Sequence, residues 1–532
     1  MRTLISAVDD ASLTRHLAGE LRAREALSIK LIAVPSQAAR YWLLTRLAQE
    51  NANDLPGVNV ITLHQLMLET FTLCATPAPD VIEDKRYLSL LWELLRQEAH
   101  GLRYPERDPY PTVEAVYGLM RELRDAAVTT DEAKWLTSDE PYEGLPAIEV
   151  LRAKSIFALY GRYVAAMAKN GWTDSPKMAK LAADALAQDR EDKFPHPVWL
   201  WGFTDFIGVQ KLYLQALAKN TDDIGVLMTE HPFTRDLRDE ITGWGFTPLT
   251  LAPEPRPQTR AALMSCVSVK SEATLAAERL LALSQQGTHW HECAIIVRDL
   301  TAYGSAIKRA LLSTGIPWVA HEDPLSCLAA HDLGGALTHL VEFLQRPSSA
   351  RLIAFLTHPG SKCPPDIVTW TANLTARVIS MNKEALIKLS GQDTLPLIMR
   401  KLLEIEGDCP QTQVERVLAE SLRWIEIYKN AGNSRLWRLI SRTIRQPKDP
   451  ALKRGLRRFL ELFRNLQDSN TASRDFSLEL LLRAIATISL DSNQNIHDTS
   501  GVWLLSANQA RGASFEHVFI LGCADQVFPM ES

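Results

Sequence analysis

Along the first 70 residues, short unbroken apolar runs alternate with segments whose apolar positions recur every three or four residues. RTLISAV (2–8) and KLIAVPS (30–36) read as buried strands, and GVNVITL (57–63), β-branched and opened by Pro56-Gly57, as a third. Between them SLTRHLAGELRA and AARYWLLTRLAQE carry helical spacing, with Ser12 and Ser36 placed to cap them. Strand, helix, strand, helix, strand predicts a parallel α/β unit. Over 84–193 the pattern turns helical, in KRYLSLLWELLRQE, VEAVYGLMRELRDAAV, VLRAKSIFALYGRYVAAMAKN and KMAKLAADALAQ. The buried run PHPVWLWGFTDF (195–206), a helix QKLYLQALAKN and a strand DIGVLMT then restore the α/β pattern over 194–250.

A Pro-rich seam, LAPEPRPQTR (251–260), opens a second stretch of the same kind. ALMSCVSV, the helix EATLAAERLLALSQQG, the strand ECAIIVRD, the helix YGSAIKRALLSTG and the strand IPWVAH fill 251–324. Residues 325–495 are again helical in pattern, and VWLL (502–505) and VFIL (518–521) return to the second sheet within 496–532. The predicted fold is α/β: two parallel-sheet lobes, each interrupted by an all-α insert. The first lobe comprises 1–83 and 194–250 around the insert 84–193; the second comprises 251–324 and 496–532 around 325–495.

Composition narrows the class. A chain of 532 residues is too long for one core, and 46% hydrophobic with 23% charged residues is ordinary for a globular protein. A formal net charge of −5 excludes a polycation and leaves room for a local basic surface. The seven cysteines (Cys74, Cys266, Cys293, Cys327, Cys363, Cys409 and Cys523) are scattered, odd in number and never spaced C-x-x-C. That pattern supports neither a disulfide framework nor a clustered metal site. His289, His291 and Cys293 in THWHEC have no partner cluster nearby and read as a loop entering a strand. With no apolar leader and no membrane-length apolar run, the expected setting is reducing and cytoplasmic, without a membrane.

Chemistry concentrates in three stretches. SANQARGASFEHVFIL (506–521) places a loop of small and polar residues between two apolar strands, either as a surface hairpin or as a ligand loop at a sheet edge. Its frame resembles superfamily-one helicases of the UvrD and RecB kind, where a strand leads into T-x-H-x-x-K-G-L-E-F, a second strand and a turn ending Phe-Pro. Ser506, Asn508, Arg511, Gly512, Ala513, Ser514 and Phe515 occupy that frame, and CADQVFP (523–529) the turn. WGFTDFIGVQ (201–210) resembles the family's D-E-F-Q-D-T-N-x-x-Q. Phe203, Asp205 and Gln210 are in register, but Trp201 and Gly202 hold the two acidic positions. One carboxylate must hold Mg²⁺ and another activate water, and an indole and a hydrogen do neither. After the first strand comes DDASLTRHLAG, with no glycine before Gly19 and two acids where a phosphate cradle needs backbone N–H groups and a lysine. Trp201, Gly202, Asp205, Gln210, Arg298, Arg511 and Gly512 are therefore expected to form a degenerate nucleotide site, with no catalytic residue and no metal ligand.

The same resemblance gives the DNA-side expectations. Ser36 and Gln37, followed by Ala38 and Ala39, match a family segment T-N-K-A-A at a strand-to-helix turn, which either receives a DNA phosphate or simply caps the helix. His64, in VITLHQL, is either a residue beside single-stranded DNA or a strand-end histidine. Arg298 holds the place of an arginine that reaches nucleotide phosphates; without a nucleotide it pairs with Asp299 or Glu322. Tyr41, Trp42, Trp199 and Trp201 stack on bases or fill the core. Arg435, Arg438, Arg442 and Arg445 recur along one helical face, and Lys448, Lys453, Arg454, Arg457, Arg458 and Arg464 extend the basic run; it tracks a phosphate backbone or is a solvated face.

In this order of motifs the chain resembles the AddB family, the B subunit of bacterial AddAB-type helicase-nucleases. The resemblance implies RecA-like lobes and action on double-stranded DNA ends and single-stranded DNA during recombinational repair of double-strand breaks. It also implies a heterodimer with an AddA-type helicase-nuclease subunit. ATP and Mg²⁺ belong to the motor partner, and Mg²⁺ to a PD-(D/E)XK nuclease domain that in the family follows the last helicase motif. The chain stops at VFPMES, so a C-terminal truncation before that domain is expected. The expected function is a non-motor, DNA-binding helicase-like subunit with no cofactor of its own. The alternatives are an active ATP-dependent helicase with a divergent nucleotide site, or an unrelated α/β enzyme.

Overall fold

The computed structural model describes residues 2–25, 28–50, 56–79, 81, 84–97, 110–138, 142, 146–187, 194–252, 260–320, 327–345, 351, 354–355, 358–361, 447–468, 474–488 and 500–523. Six strands, β1 (Arg2–Ala7), β2 (Lys30–Val34), β3 (Val58–Thr62), β4 (Val198–Trp201), β5 (Ile224–Thr229) and β6 (Thr247–Thr250), form a parallel sheet in the order β3-β2-β4-β5-β1-β6. Helices α1 (Asp10–Arg22), α2 (Gln37–Gln49) and α3 (Leu63–Leu73) follow the first three strands. Helices α4 (Asp84–Gln97), α5 (Tyr110–Asp125), α6 (Thr130–Trp135), α7 (Ala147–Lys169) and α8 (Ser175–Ala187) intervene before β4, and α9 (Gly208–Asn220) and α10 (Arg235–Gly243) follow β4 and β5.

The central strands are apolar on both faces because both faces are covered. Helices α1 and α2 pack on Ile5, Ile32, Val34, Trp199 and Trp201. Helices α3, α8, α9 and α10 pack on Leu4, Leu31, Ala33, Leu200 and Val226 of the opposite face. At the amino end of β2 the Lys30 side chain is buried, and its ammonium donates to the carbonyls of Glu25 (2.8 Å), Ser28 (3.2 Å) and Pro56 (3.3 Å). Backbone oxygens thus meet the hydrogen-bonding demand of a charge removed from water.

The second sheet contains β7 (Cys293–Val297), β8 (Trp318–Val319), β9 (Val502–Ser506) and β10 (His517–Leu521), all parallel, in the order β10-β7-β9-β8. Helices α11 (Val269–Gln285) and α12 (Leu300–Thr314) cover one face through Ile295, Val297, Leu504 and Leu521. Strands β9 and β10 run parallel with β7 between them, so the loop joining them is not a hairpin. ALMSCVSV departs from its strand-like composition: residues 260–268 form no strand, and Leu263 and Val267 are 93% and 98% exposed. Apolar content makes a strand only where an edge is available to pair with it, and none of the described strands takes this segment.

The helices of the two helical stretches share one core. Helices α13 (Asp332–Gln345), α14 (Pro450–Asp468) and α15 (Arg474–Thr487) bury Leu337, Leu340, Phe459 and Leu481 in one core with Tyr87, Leu91, Trp92 and Tyr163 of the first insert. No helix among the described residues is long and apolar enough to cross a membrane.

Within the first insert the Arg124 guanidinium grips Asp174 through two bonds, Nε to Oδ2 at 2.5 Å and Nη2 to Oδ1 at 2.7 Å, with both side chains largely buried. Burial pushes the Arg124 pKa down, and the hydrogen bonds and charge of Asp174 more than reverse this, so it ends raised. Asp174 also accepts from the Lys177 backbone N–H (2.9 Å) at the start of α8. Removing one member of a buried pair strands the other charge, at about 3–5 kcal/mol. Arg124→Met should therefore lower unfolding free energy in urea by about that amount. Arg124→Met with Asp174→Asn, which keeps the α8 cap and removes the stranded charge, should recover more than half of the loss.

Candidate functional site

The carboxyl ends of the two sheets meet in a crevice, and its contents follow from four short segments. The first is the turn after β1. Asp9, 4% exposed, accepts from the Ser12 backbone N–H (2.7 Å), and the Ser12 hydroxyl donates to its other oxygen (2.9 Å). The cap of α1 is therefore Asp9 and not Ser12. A charged acceptor one turn ahead of a hydroxyl wins the N-terminal amides, because it also meets the positive end of the helix dipole. In a phosphate-binding loop those amides would face the ligand; here a carboxylate of the chain itself occupies one of them, the Ser12 N–H.

The second segment ends β4. Trp201 is fully buried, its ring centre 6.0 Å from that of Trp42, and its indole N–H lies 3.4 Å from the Gly512 carbonyl oxygen. Trp199 is also buried and donates to Glu20 (3.0 Å). Gly202 has φ +70°, and a Cβ there would sit 2.9 Å from the Cα of Gly512. Gly512 has φ +76°, and its own Cβ would lie 2.7 Å from Pro35 Cγ and 3.2 Å from Ala39 Cβ. Both positions require glycine for backbone conformation and for space.

The third segment is the turn between β2 and α2. Ser36 caps α2, accepting from the Ala39 N–H at 3.0 Å, while its hydroxyl lies 2.8 Å from the Gln509 carbonyl and 3.1 Å from that of Arg511. Gln37 follows, half-buried, as the first residue of α2. The fourth segment is the loop 507–516 itself. Its Gln509 side chain accepts from the Ser506 N–H (2.9 Å), and the Gln509 N–H donates to the Ser506 hydroxyl (3.3 Å), so the loop is closed on itself. The Arg511 guanidinium pairs with Asp205 and donates to the Thr204 hydroxyl at 3.0 Å. Behind this polar seam Ala38 joins a core with Ala294, Val319, Trp503 and Leu505, and Tyr41 and Phe515 pack against it. Tyr41 and Phe515 flank Trp503 at 6.4 and 6.3 Å.

The fold thus brings Ser36, Trp201, Gly202, Asp205, Arg511 and Gly512 together. Gln210 turns away: its side-chain oxygen accepts from the Ile207 N–H (3.2 Å) and caps α9. Arg298 and Asp299 are exposed just beyond β7, and Glu322 lies outside the described residues. His64 is not at a strand end. Thr62 and Gln65 form a capping box that starts α3 at Leu63, so His64 projects from the first helical turn; partial desolvation there lowers its pKa. Arg454, Arg457 and Arg458 are exposed on α14, whereas Arg435, Arg438, Arg442 and Arg445, with the turn beyond Cys523, lie outside the described residues. His289 precedes and His291 lies within a single 3₁₀ turn (Trp290–Glu292), with their rings stacked at 5.5 Å, and the described residues contain no group of three metal-binding side chains. Sequence reasoning missed the Asp9 cap, the Thr204 bond and the Pro35 contact. Only the first left a signal, the Asp9-x-x-Ser12 spacing of an N-cap.

The magnitudes rank these contacts. Asp205 is 65% and Arg511 37% exposed, so solvent limits their pair to at most about 1 kcal/mol. A side chain at Gly512 would add backbone strain of about 1–3 kcal/mol to a steric clash. Gly512→Ala should therefore destabilise the chain in urea by more than about 2 kcal/mol, and Arg511→Ala by less than about 1 kcal/mol. The reverse order would mean that charge, not close packing, joins the lobes.

A family profile described as UvrD-like helicase C-terminal domain matches residues 260–532, just over half of the chain. None of the curated proteins compared with the chain matches it. The matched span carries the whole second sheet and the Arg511 loop that closes on the first lobe. The chain belongs to the UvrD-like helicase C-terminal domain family.

Proposed function

We propose that the chain is a DNA-binding, helicase-like subunit without a motor site of its own, working within a helicase-nuclease that processes double-strand breaks for recombinational repair. The observation that carries this reading is the Asp9 carboxylate on the Ser12 N–H at the start of α1. A triphosphate brought there meets a buried carboxylate and finds the Ser12 amide already taken. The residues present do not fit a Mg²⁺ nucleotide in other respects either. Trp201 and Gly202 offer no side-chain oxygen where a carboxylate has to hold the ion, and the Gly512 backbone closes over them.

Family membership supports work on nucleic acid, and the resemblance to AddB supports the finer assignment. On that assignment an AddA-type partner supplies ATP hydrolysis with its Mg²⁺, and the substrates are double-stranded DNA ends and single-stranded DNA. The test is ATP turnover by the purified 532-residue chain with and without DNA. Turnover should stay at background under both conditions, while DNA binding persists without nucleotide in fluorescence anisotropy. DNA-stimulated hydrolysis at the rate of a working motor would overturn the reading and favour an active helicase with a divergent nucleotide site.

A further inference from the structure

We infer that the exposed face of α14 lies along the phosphate backbone of duplex DNA, without reading its sequence; this rests on the DNA-binding reading above and names the surface responsible. Helix α14 is strongly two-sided. Leu456, Phe459 and Leu462 are buried in the core shared by the helical segments, and Lys453, Arg454, Arg457 and Arg458 are exposed on the other side. The cations are held on a packed helix, which lowers the ordering cost of gripping a regular ligand.

Spacing favours a phosphate array. Lys453 and Arg457, like Arg454 and Arg458, are one helical turn apart, a rise of about 6 Å. Two successive phosphate steps of one B-DNA strand cover about 6.8 Å along the axis. Lys448, also exposed, extends the basic surface beyond the helix start. Two exposed acids lie on this stretch, Asp449, which accepts the Ala451 N–H (2.7 Å) at the helix start, and Glu461, one turn beyond Arg457, against five exposed cations.

The side chains favour duplex over single strand and backbone contact over base contact. Single-strand grooves add aromatic side chains on which bases stack, yet the one aromatic residue among 448–462, Phe459, is fully buried. That stretch also holds no Asn or Gln to pair with an adenine edge.

The experiment is a salt titration of binding by the full chain to a blunt duplex and to an oligo-dT strand, followed by anisotropy. Each phosphate contact contributes about 0.9 to the slope of log K against log salt on duplex. Arg454→Glu with Arg457→Glu should weaken duplex binding at least tenfold at low salt and reduce that slope by about 2. Arg454→Gln with Arg457→Gln should lose the same slope with a smaller loss of affinity. An unchanged thermal transition in both variants shows that the fold is kept. Wild-type slope and affinity in the Glu variant would overturn the inference while leaving DNA binding intact, as would a loss confined to oligo-dT. Failure of the wild-type chain to bind either DNA would overturn the broader reading as well.

Discussion

The arrangement of the two lobes depends on a place where two backbones touch with nothing between them. Gly202 ends the strand-to-loop turn of one sheet and Gly512 lies in the loop of the other, both at positive φ, and each would clash if given a side chain. This contact fixes how closely the sheets approach. The Ser36 and Trp201 hydrogen bonds and the Arg511–Asp205 pair can form only at that separation. Hydrogen bonds and ion pairs between partly exposed groups contribute little singly, and the apolar packing of Ala38, Tyr41, Trp503 and Phe515 gives the seam most of its cohesion.

That seam also accounts for the chemistry of the crevice. A motor needs an opening that a nucleotide fills and empties, lined by an anion cradle and by metal-binding carboxylates. In this chain Asp9 caps the helix that follows the first strand, and a buried indole, Trp201, ends β4. Trp201 packs on Trp42 and bonds to the second lobe, so it contributes to the cohesion of the seam.

Much of the fold was legible in the sequence because a parallel strand buried on both faces is an unbroken apolar run, as in KLIAV and VWLW, and an amphipathic helix repeats every three or four residues. What escaped depended on partners distant in the chain. ALMSCVSV has the composition of a strand but pairs with none of the described strands, and His64 shifts from strand to helix because Thr62 and Gln65 cap each other. At the seam Trp201, Gly202 and Arg511 were singled out in the sequence by their place in a motif frame. Their meeting with Ser36, Pro35 and Thr204 was not, because residues more than 300 apart in sequence leave no periodic trace. The shared core of the helical segments was hidden for the same reason. An apolar stripe shows that a helix is covered, not by which helix.

That shared core bears on how the polypeptide reaches its final state during synthesis. Leu91, Tyr163 and their neighbours complete their packing only against Leu337, Phe459 and Leu481. At a translation rate of about 5–20 residues per second, the 318 residues from the end of α7 at Lys169 to the end of α15 at Thr487 take about 15–65 s to emerge. For that interval the early helices present a half-finished apolar surface to solvent. Slow codons placed just before the late helices would lengthen that exposure.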